Sequence, residues 1–128
     1  MTAIQTLSAP LGRLLLSLIF VVSGAGKIGA YAGTQAYMDS MGVPGMLLPL
    51  VIALEILGGI AIVLGWQARI VAFLLAGFCL LSAVLFHGDI GDQGQQIQFL
   101  KNLGLAGGFL LIVAHGAGAW SLDGRRGA

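Results

Sequence analysis

Long apolar runs separated by short polar segments dominate the pattern of the chain. Four of these runs, at residues 11–29, 46–65, 70–86 and 98–115, are mostly uncharged. Each is close to the ~20 apolar residues that a helix needs to cross the hydrocarbon core of a bilayer. The pattern therefore predicts an all-α fold, an integral membrane four-helix bundle that forms a single domain over residues 1–128.

Proline and glycine mark the expected ends of these helices. Pro10 suits the first turn of the first helix, and Val43-Pro44-Gly45 precedes the second. Gly116-Ala117-Gly118 ends the fourth. The connection at residues 30–45 is long enough for a short interfacial helix, whereas the polar segment 88–96 is expected to be a solvated loop. Residues 1–12 carry no Lys or Arg, so we expect the first helix to be retained rather than removed as a signal peptide.

Composition excludes several classes of function. Of the 128 residues, 58% are hydrophobic and only 9% are charged, against about 25% charged in soluble domains. A net charge of +1 argues against nucleic acid as a partner, since phosphate binding needs clustered Lys and Arg. The single cysteine, Cys79, allows no internal disulfide and no cysteine-rich metal site. We expect no metal site.

Basic residues predict the orientation in the membrane. Four spans place both termini on one side, and that side carries four arginines: Arg13, Arg69, Arg125 and Arg126. The other side carries Lys27 and Lys101. Because cytoplasmic segments hold an excess of Lys and Arg, both termini are predicted to be cytoplasmic in a bacterial or archaeal inner membrane.

Polar and small residues recur on one face of three of the helices. Buried polar groups are costly in a bilayer, so these faces are expected to point into the bundle. The face of the first helix holds Arg13, Ser17, Phe20, Gly24 and Lys27. That of the third holds Arg69, Phe73, Ala76, Cys79, Ala83 and His87. That of the fourth holds Gln98, Lys101, Asn102, Leu105, Gly108, Ile112 and His115.

The polar side chains form two expected clusters, one at each end of the bundle. The outer cluster combines five residues that suit a ligand or quinone: Glu55, Lys27, Lys101, Asn102 and His87. Glu55 lies ~13 Å along its helix from the outer end, and an unpaired carboxylate there would be costly. We expect it to contact Lys27, Lys101 or Asn102. At the inner end, Asp123 is expected to pair with Arg13 or Arg69.

Several segments together resemble the DoxX family of small bacterial and archaeal membrane proteins. They extend in a fixed order over about residues 11–123. They are Arg13 with Ser23-Gly24-Ala25-Gly26-Lys27, Ala53-Leu54-Glu55-Ile56-Leu57-Gly58-Gly59, Leu64-Gly65, Arg69, Gln98-Phe99-Leu100-Lys101-Asn102, Gly107-Gly108 and Gly116-Ala117-Gly118-Ala119-Trp120-Ser121-Leu122-Asp123.

The resemblance implies a four-helix inner-membrane protein. Relatives are linked to subunits of terminal quinol oxidase and thiosulfate:quinone oxidoreductase, and to membrane redox complexes. We therefore expect a redox-associated subunit that contacts a quinone or an electron-transfer partner, with other membrane subunits or a second copy as partners. The chain has no self-contained catalytic motif. The alternatives are a purely structural or assembly subunit, in which the polar residues only pair and pack, and a small transporter.

Overall fold

Helices account for almost all of the structure, a computed structural model that describes residues 2–125. Arg126, one of the four arginines that predict the orientation in the membrane, lies outside the described residues. The elements are α1 (Ala3–Gly29), α2 (Tyr31–Ser40), a 3-10 turn (Gly45–Leu47), α3 (Leu48–Leu64), α4 (Ala68–Phe86), α5 (Gln93–His115) and α6 (Leu122–Arg125). Four of them, α1, the turn with α3, α4 and α5, are long and apolar enough to cross a membrane. The predicted all-α membrane fold is confirmed.

Two helices extend beyond their apolar runs because polar caps start them earlier. At α1, Thr2 Oγ1 accepts a hydrogen bond from Gln5 N at 3.2 Å, and Gln5 Oε1 accepts one from Thr2 N at 2.9 Å. This capping box satisfies N–H groups that the helix itself leaves free. Pro10 consequently lies inside α1 and not near its first turn.

The polar segment between α4 and α5 is shorter than predicted. Asp92 Oδ2 accepts a hydrogen bond from Gln95 N at 3.0 Å and so starts α5 at Gln93. The expected solvated loop over residues 88–96 is therefore wrong in its second half. Hydropathy detects only the part of a helix that is apolar, whereas capping sets where the helix begins.

Close helix contacts run in the order α1–α3, α3–α4 and α4–α5, which places α3 and α5 diagonally across the bundle. Small residues allow the α1–α3 approach. A Cβ atom added to Gly59 would lie 2.8 Å from Val21 Cγ2 and 3.4 Å from the Ser17 carbonyl oxygen. The α1 backbone therefore packs directly on this part of α3.

Phenylalanine rings fill the middle of the bundle. Phe20 meets Phe109 edge-to-face with ring centres 5.4 Å apart, and Phe78 at 6.4 Å, an arrangement that aromatic pairs favour. The rest of the predicted α1 face, Arg13, Ser17 and Gly24, is buried with Phe20. That face was predicted correctly as far as Gly24, and Lys27 beyond it is partly buried.

The predicted face of α4 is only half right. Ala76, Cys79 and Ala83 are buried, but Phe73 is 63% exposed and Arg69 is also exposed. The helix is apolar on every side, so its sequence holds little information on which side meets lipid.

Large apolar side chains cover the outside of all four long helices. Examples are Leu15, Val22, Leu57, Phe73, Val84 and Leu111. Such a surface is stable in hydrocarbon and not in water. The chain is therefore embedded in a lipid bilayer, with its polar groups turned inward or gathered at the helix ends.

Candidate functional site

Polar groups lie at both ends of the bundle, and we name each end after the segment that lies there. The α2 end holds Lys27, α2 and the connection from α4 to α5. The tail end holds Arg13 and the segment 116–125. Both ends carry a cavity, but they differ in character. The tail-end cavity, of about 1320 Å³, is lined by Arg69 and the segment 115–125, in which Asp123 is hydrogen-bonded to the backbone, whereas several polar side chains that line the α2-end cavity have no partner among residues 2–125.

A cavity of about 470 Å³ occupies the α2 end. Its wall is built from all five longer helices, α1 to α5. The five residues that the sequence placed in the outer cluster all line it: Glu55, Lys27, Lys101, Asn102 and His87. The volume suits a small organic molecule, since such sites usually measure about 300–1,000 Å³.

Glu55 and Lys27 form an ion pair in the cavity wall. Lys27 Nζ lies 2.8 Å from Glu55 Oε1 and donates a hydrogen bond to Ser23 Oγ at 2.6 Å. The ammonium thus occupies Oε1, which is buried. The two charges attract at contact distance, and the other carboxylate oxygen makes no hydrogen bond with residues 2–125. Its side chain is only 4% exposed.

Three polar side chains of α5 line the opposite part of the cavity. Gln98, Lys101 and Asn102 share one helix face, as the spacing of three and four residues requires. None of the three side chains makes a hydrogen bond or ion pair with the residues that the structure describes. Lys101 is exposed, whereas Gln98 and Asn102 are half-buried. This wall thus offers free donors to a ligand.

Helix α2 covers the cavity. Tyr37 of α2 stacks on Phe86 of α4, with ring centres 5.6 Å apart. Asp39 Oδ1 accepts a hydrogen bond from Gly45 N at 2.7 Å, which ties α2 to the start of the α3 span. Below the polar groups, Phe20, Phe78 and Cys79 form an apolar wall.

His87 lies at the rim, where α4 ends. Its Nδ1 is 2.7 Å from Gln95 Oε1 of α5, and its backbone N–H donates to the Ala83 carbonyl at 3.1 Å. The side chain thereby joins the ends of two helices while lining the cavity. Within residues 2–125, no group of three His, Cys, Asp or Glu side chains is placed to hold a metal ion.

At the tail end, Arg13 binds carbonyl groups. Its guanidinium donates to the carbonyl oxygens of Val63 at 2.7 Å, Ala119 at 2.7 Å and Trp120 at 2.8 Å, and the residue is only 2% exposed. The last carbonyls of a helix have no partner within the helix. Arg13 therefore satisfies the end of α3 and the start of the tail together.

The expected ion pair of Asp123 with Arg13 or Arg69 does not form among the described residues. The Asp123 carboxylate accepts hydrogen bonds from the backbone N–H groups of Gln67 and Ala68, both at 2.8 Å. Arg69 is exposed, with its guanidinium against Gly116. The reason is that the first N–H groups of α4 have no partner within the helix, and the Asp123 carboxylate supplies their acceptor.

Sequence reasoning missed five polar residues of the cavity: Ser23, Thr34, Tyr37, Ser82 and Gln98. Ser23 lies four residues before Lys27, and this spacing alone places both on one side of a helix. Gln98 stood on the predicted face of the fourth helix but was not assigned to the cluster. Tyr37 carried no such signal, because its position depends on how α2 folds back over the bundle.

Comparison with known proteins places the chain among small membrane proteins. The family model DoxX matches residues 9–88. Inner membrane protein YqjF of Escherichia coli (strain K12) is 46% identical over 123 residues, 96% of this chain and 95% of that protein. Inner membrane protein YphA of the same organism is 39% identical over 124 residues, 90% of this chain and 87% of that protein.

A third relative is more distant. It is CatD of Bacillus subtilis (strain 168), whose name carries a provisional oxidoreductase assignment, 32% identical over 73 residues, 57% of this chain and 54% of that protein. No solved structure matches the chain significantly.

Proposed function

Since this chain belongs to the DoxX family and is a multi-pass inner membrane protein, we propose that it is a redox-associated subunit whose cavity binds the head group of a quinone. The observation that carries the proposal is the distribution of polar groups in that cavity. Lys27 and Glu55 lie on α1 and α3, and the free donors Lys101 and Asn102 lie on α5.

These groups match the shape of a quinone. The head group is a flat ring with carbonyl oxygens at opposite sides, and the cavity has ammonium or amide donors on two different helices, α1 and α5. Lys101 and Asn102 would donate to one oxygen and Lys27 to the other, with Phe20 and Phe78 against the ring. When bound, a quinone supplies an exchange of two electrons and two protons.

Glu55 adds an acceptor to this set of donors. Its Oε1 is buried against Lys27 Nζ. The other carboxylate oxygen makes no hydrogen bond with the described residues, so it can accept one from a hydroxyl group in the cavity.

The apolar part of the cavity lining supports a membrane-soluble ligand. Helices α1 and α5 touch through side chains such as Phe20 and Phe109, without close backbone packing. Ile19 of α1 and Leu85 of α4 belong to the cavity lining and are 38% and 42% exposed. A molecule with an apolar tail would keep that tail in lipid while its ring enters the cavity. The name of CatD adds a redox link within the family.

Binding of a short-tailed quinone to the purified protein in nanodiscs tests the proposal. Decylubiquinone titrated calorimetrically should bind the parent protein above the level of empty nanodiscs. Asn102→Leu removes one donor at similar volume and should weaken binding about ten-fold, the equivalent of one hydrogen bond.

His115→Leu is the matched control, because His115 is exposed on the same helix at the tail end. It should bind like the parent. Absence of binding to the parent protein would overturn the proposal and leave a structural or assembly subunit as the function. Equal binding by parent and Asn102→Leu would place the quinone elsewhere.

A further inference from the structure

The formal charges of the side chains that line the cavity do not sum to zero. Three of its lining side chains carry a formal charge at neutral pH: Glu55, Lys27 and Lys101. Glu55 and Lys27 cancel as a contact ion pair at 2.8 Å. Lys101 remains, so the described wall of the cavity carries an excess of one positive charge.

Nothing on the described chain compensates Lys101. Its ammonium group makes no ion pair within 4.0 Å and no hydrogen bond with residues 2–125. Its neighbours on the cavity face, Gln98 and Asn102, are also without partners and add amide donors. Lys101 is exposed and keeps its water, so its ammonium is free to donate a charge-assisted hydrogen bond to a ligand that brings a negative oxygen into the cavity.

We infer that the cavity prefers an amphipathic oxyanion, an aromatic carboxylate or phenolate with an apolar tail, over a neutral ring of the same shape, and that Lys101 sets this preference. The inference rests on the proposed function in placing the ligand in this cavity, and it adds the charge of the ligand. The aromatic part follows from Phe20 and Phe78 in the inner wall. The tail follows from the apolar, partly exposed lining residues Ile19 and Leu85.

An acidic lipid head group offers the same chemistry as a small aromatic acid. Both present an oxyanion on an apolar body, and both reach the cavity from the bilayer. The lipid composition of the nanodisc separates these two sources, because phosphatidylglycerol is anionic and phosphatidylcholine carries no net charge.

A pair of probes that differ only in charge tests the inference. In phosphatidylcholine nanodiscs, 4-octylbenzoate should bind the parent protein about ten times more tightly than 4-octylbenzamide. Lys101→Met should bring the ratio to about one, and Lys101→Glu should make the amide the better ligand. His115→Met, at the tail end of the same helix, should keep the parent ratio.

Competition then identifies the source of the oxyanion. Weaker 4-octylbenzoate binding in phosphatidylglycerol nanodiscs would support the oxyanion site and assign the lipid as its occupant. Unchanged binding would assign a small aromatic acid.

Two results would overturn the inference: equal affinities of the two probes for the parent protein, or an unchanged ratio in Lys101→Met. If decylubiquinone still binds in that case, the proposed function stands and only the charge preference fails. If neither probe nor decylubiquinone binds, both fail.

Discussion

Glu55 is a carboxylate where water scarcely reaches, and its neighbours explain how the bundle tolerates it. The side chain is 4% exposed and lies against Lys27, which is 26% exposed. Lys27 keeps part of its hydration at the α2 end while its ammonium reaches inward. The pair is therefore asymmetric, since the lysine can return to water and the glutamate cannot.

This asymmetry predicts the effect of removing the lysine. Lys27→Met leaves the Glu55 charge buried without compensation and should lower the free energy of unfolding by about 2–3 kcal/mol, below the full effect for a buried pair because Lys27 is partly exposed. The double variant Lys27→Met with Glu55→Gln should recover most of the loss. SDS titration of the purified protein in mixed micelles measures both.

Lys101→Met is the matched control for this experiment. It removes the same charge from the same cavity, but Lys101 has no partner among residues 2–125. Its stability should stay close to that of the parent. A double variant that is no more stable than Lys27→Met would show that the bundle loses the packing of the lysine side chain and not the attraction between the two charges.

For each helix, the sequence predicted which side faces the bundle interior only where polar residues contrast with apolar ones. On α1, Arg13 and Ser17 fixed the inward side correctly. On α4, apolar residues surround the helix, and Phe73 was expected inside but lies outside. Helix starts were predicted late where a polar cap such as Asp92 precedes the apolar run.

The candidate site shows the same limit. Glu55 and Lys101 stood out because charge within an apolar run is rare. The hydrogen-bond partners of Asp123 could not be recognised in this way, because they are the backbone N–H groups of Gln67 and Ala68. A sequence shows charged side chains, but it does not show which helix ends need hydrogen-bond partners.

We predict that Asp123, in the segment that follows α5, caps the N-terminus of α4. Asp123→Ala removes the acceptor for two backbone N–H groups and should lower the free energy of unfolding by about 1 kcal/mol. Asp123→Asn keeps one of the two oxygen acceptors and should recover up to half of that loss, whereas a contribution from an ion pair would be lost in both variants. Thermal unfolding in detergent, followed by circular dichroism, compares the two.

Asp89→Ala is the control, because Asp89 is exposed in the α4–α5 connection, and it should unfold like the parent. An Asp123→Asn variant as unstable as Asp123→Ala would show that the negative charge at the start of α4 matters more than the hydrogen bonds.

At the scale of the whole molecule, the four spans and their sequence order place the α2 end and the tail end on opposite faces of the membrane. The arginines of the tail end, Arg13, Arg69 and Arg125, predict that this end is cytoplasmic. Reporter fusions after Asp92 and after the C-terminal residue should therefore report opposite sides, the second one cytoplasmic. Reporters on the same side would contradict the arrangement of the spans, and a periplasmic C-terminus would reverse the predicted orientation.

Arg13 also connects the first helix to a part of the chain that is synthesised much later. The guanidinium enters the membrane with α1, but its acceptors at Ala119 and Trp120 follow 106 and 107 residues later. Of its three closest carbonyl acceptors, only that of Val63 has been made before then. The Nη2 side of the guanidinium must therefore keep its water at the lipid–water boundary until the tail arrives to replace it.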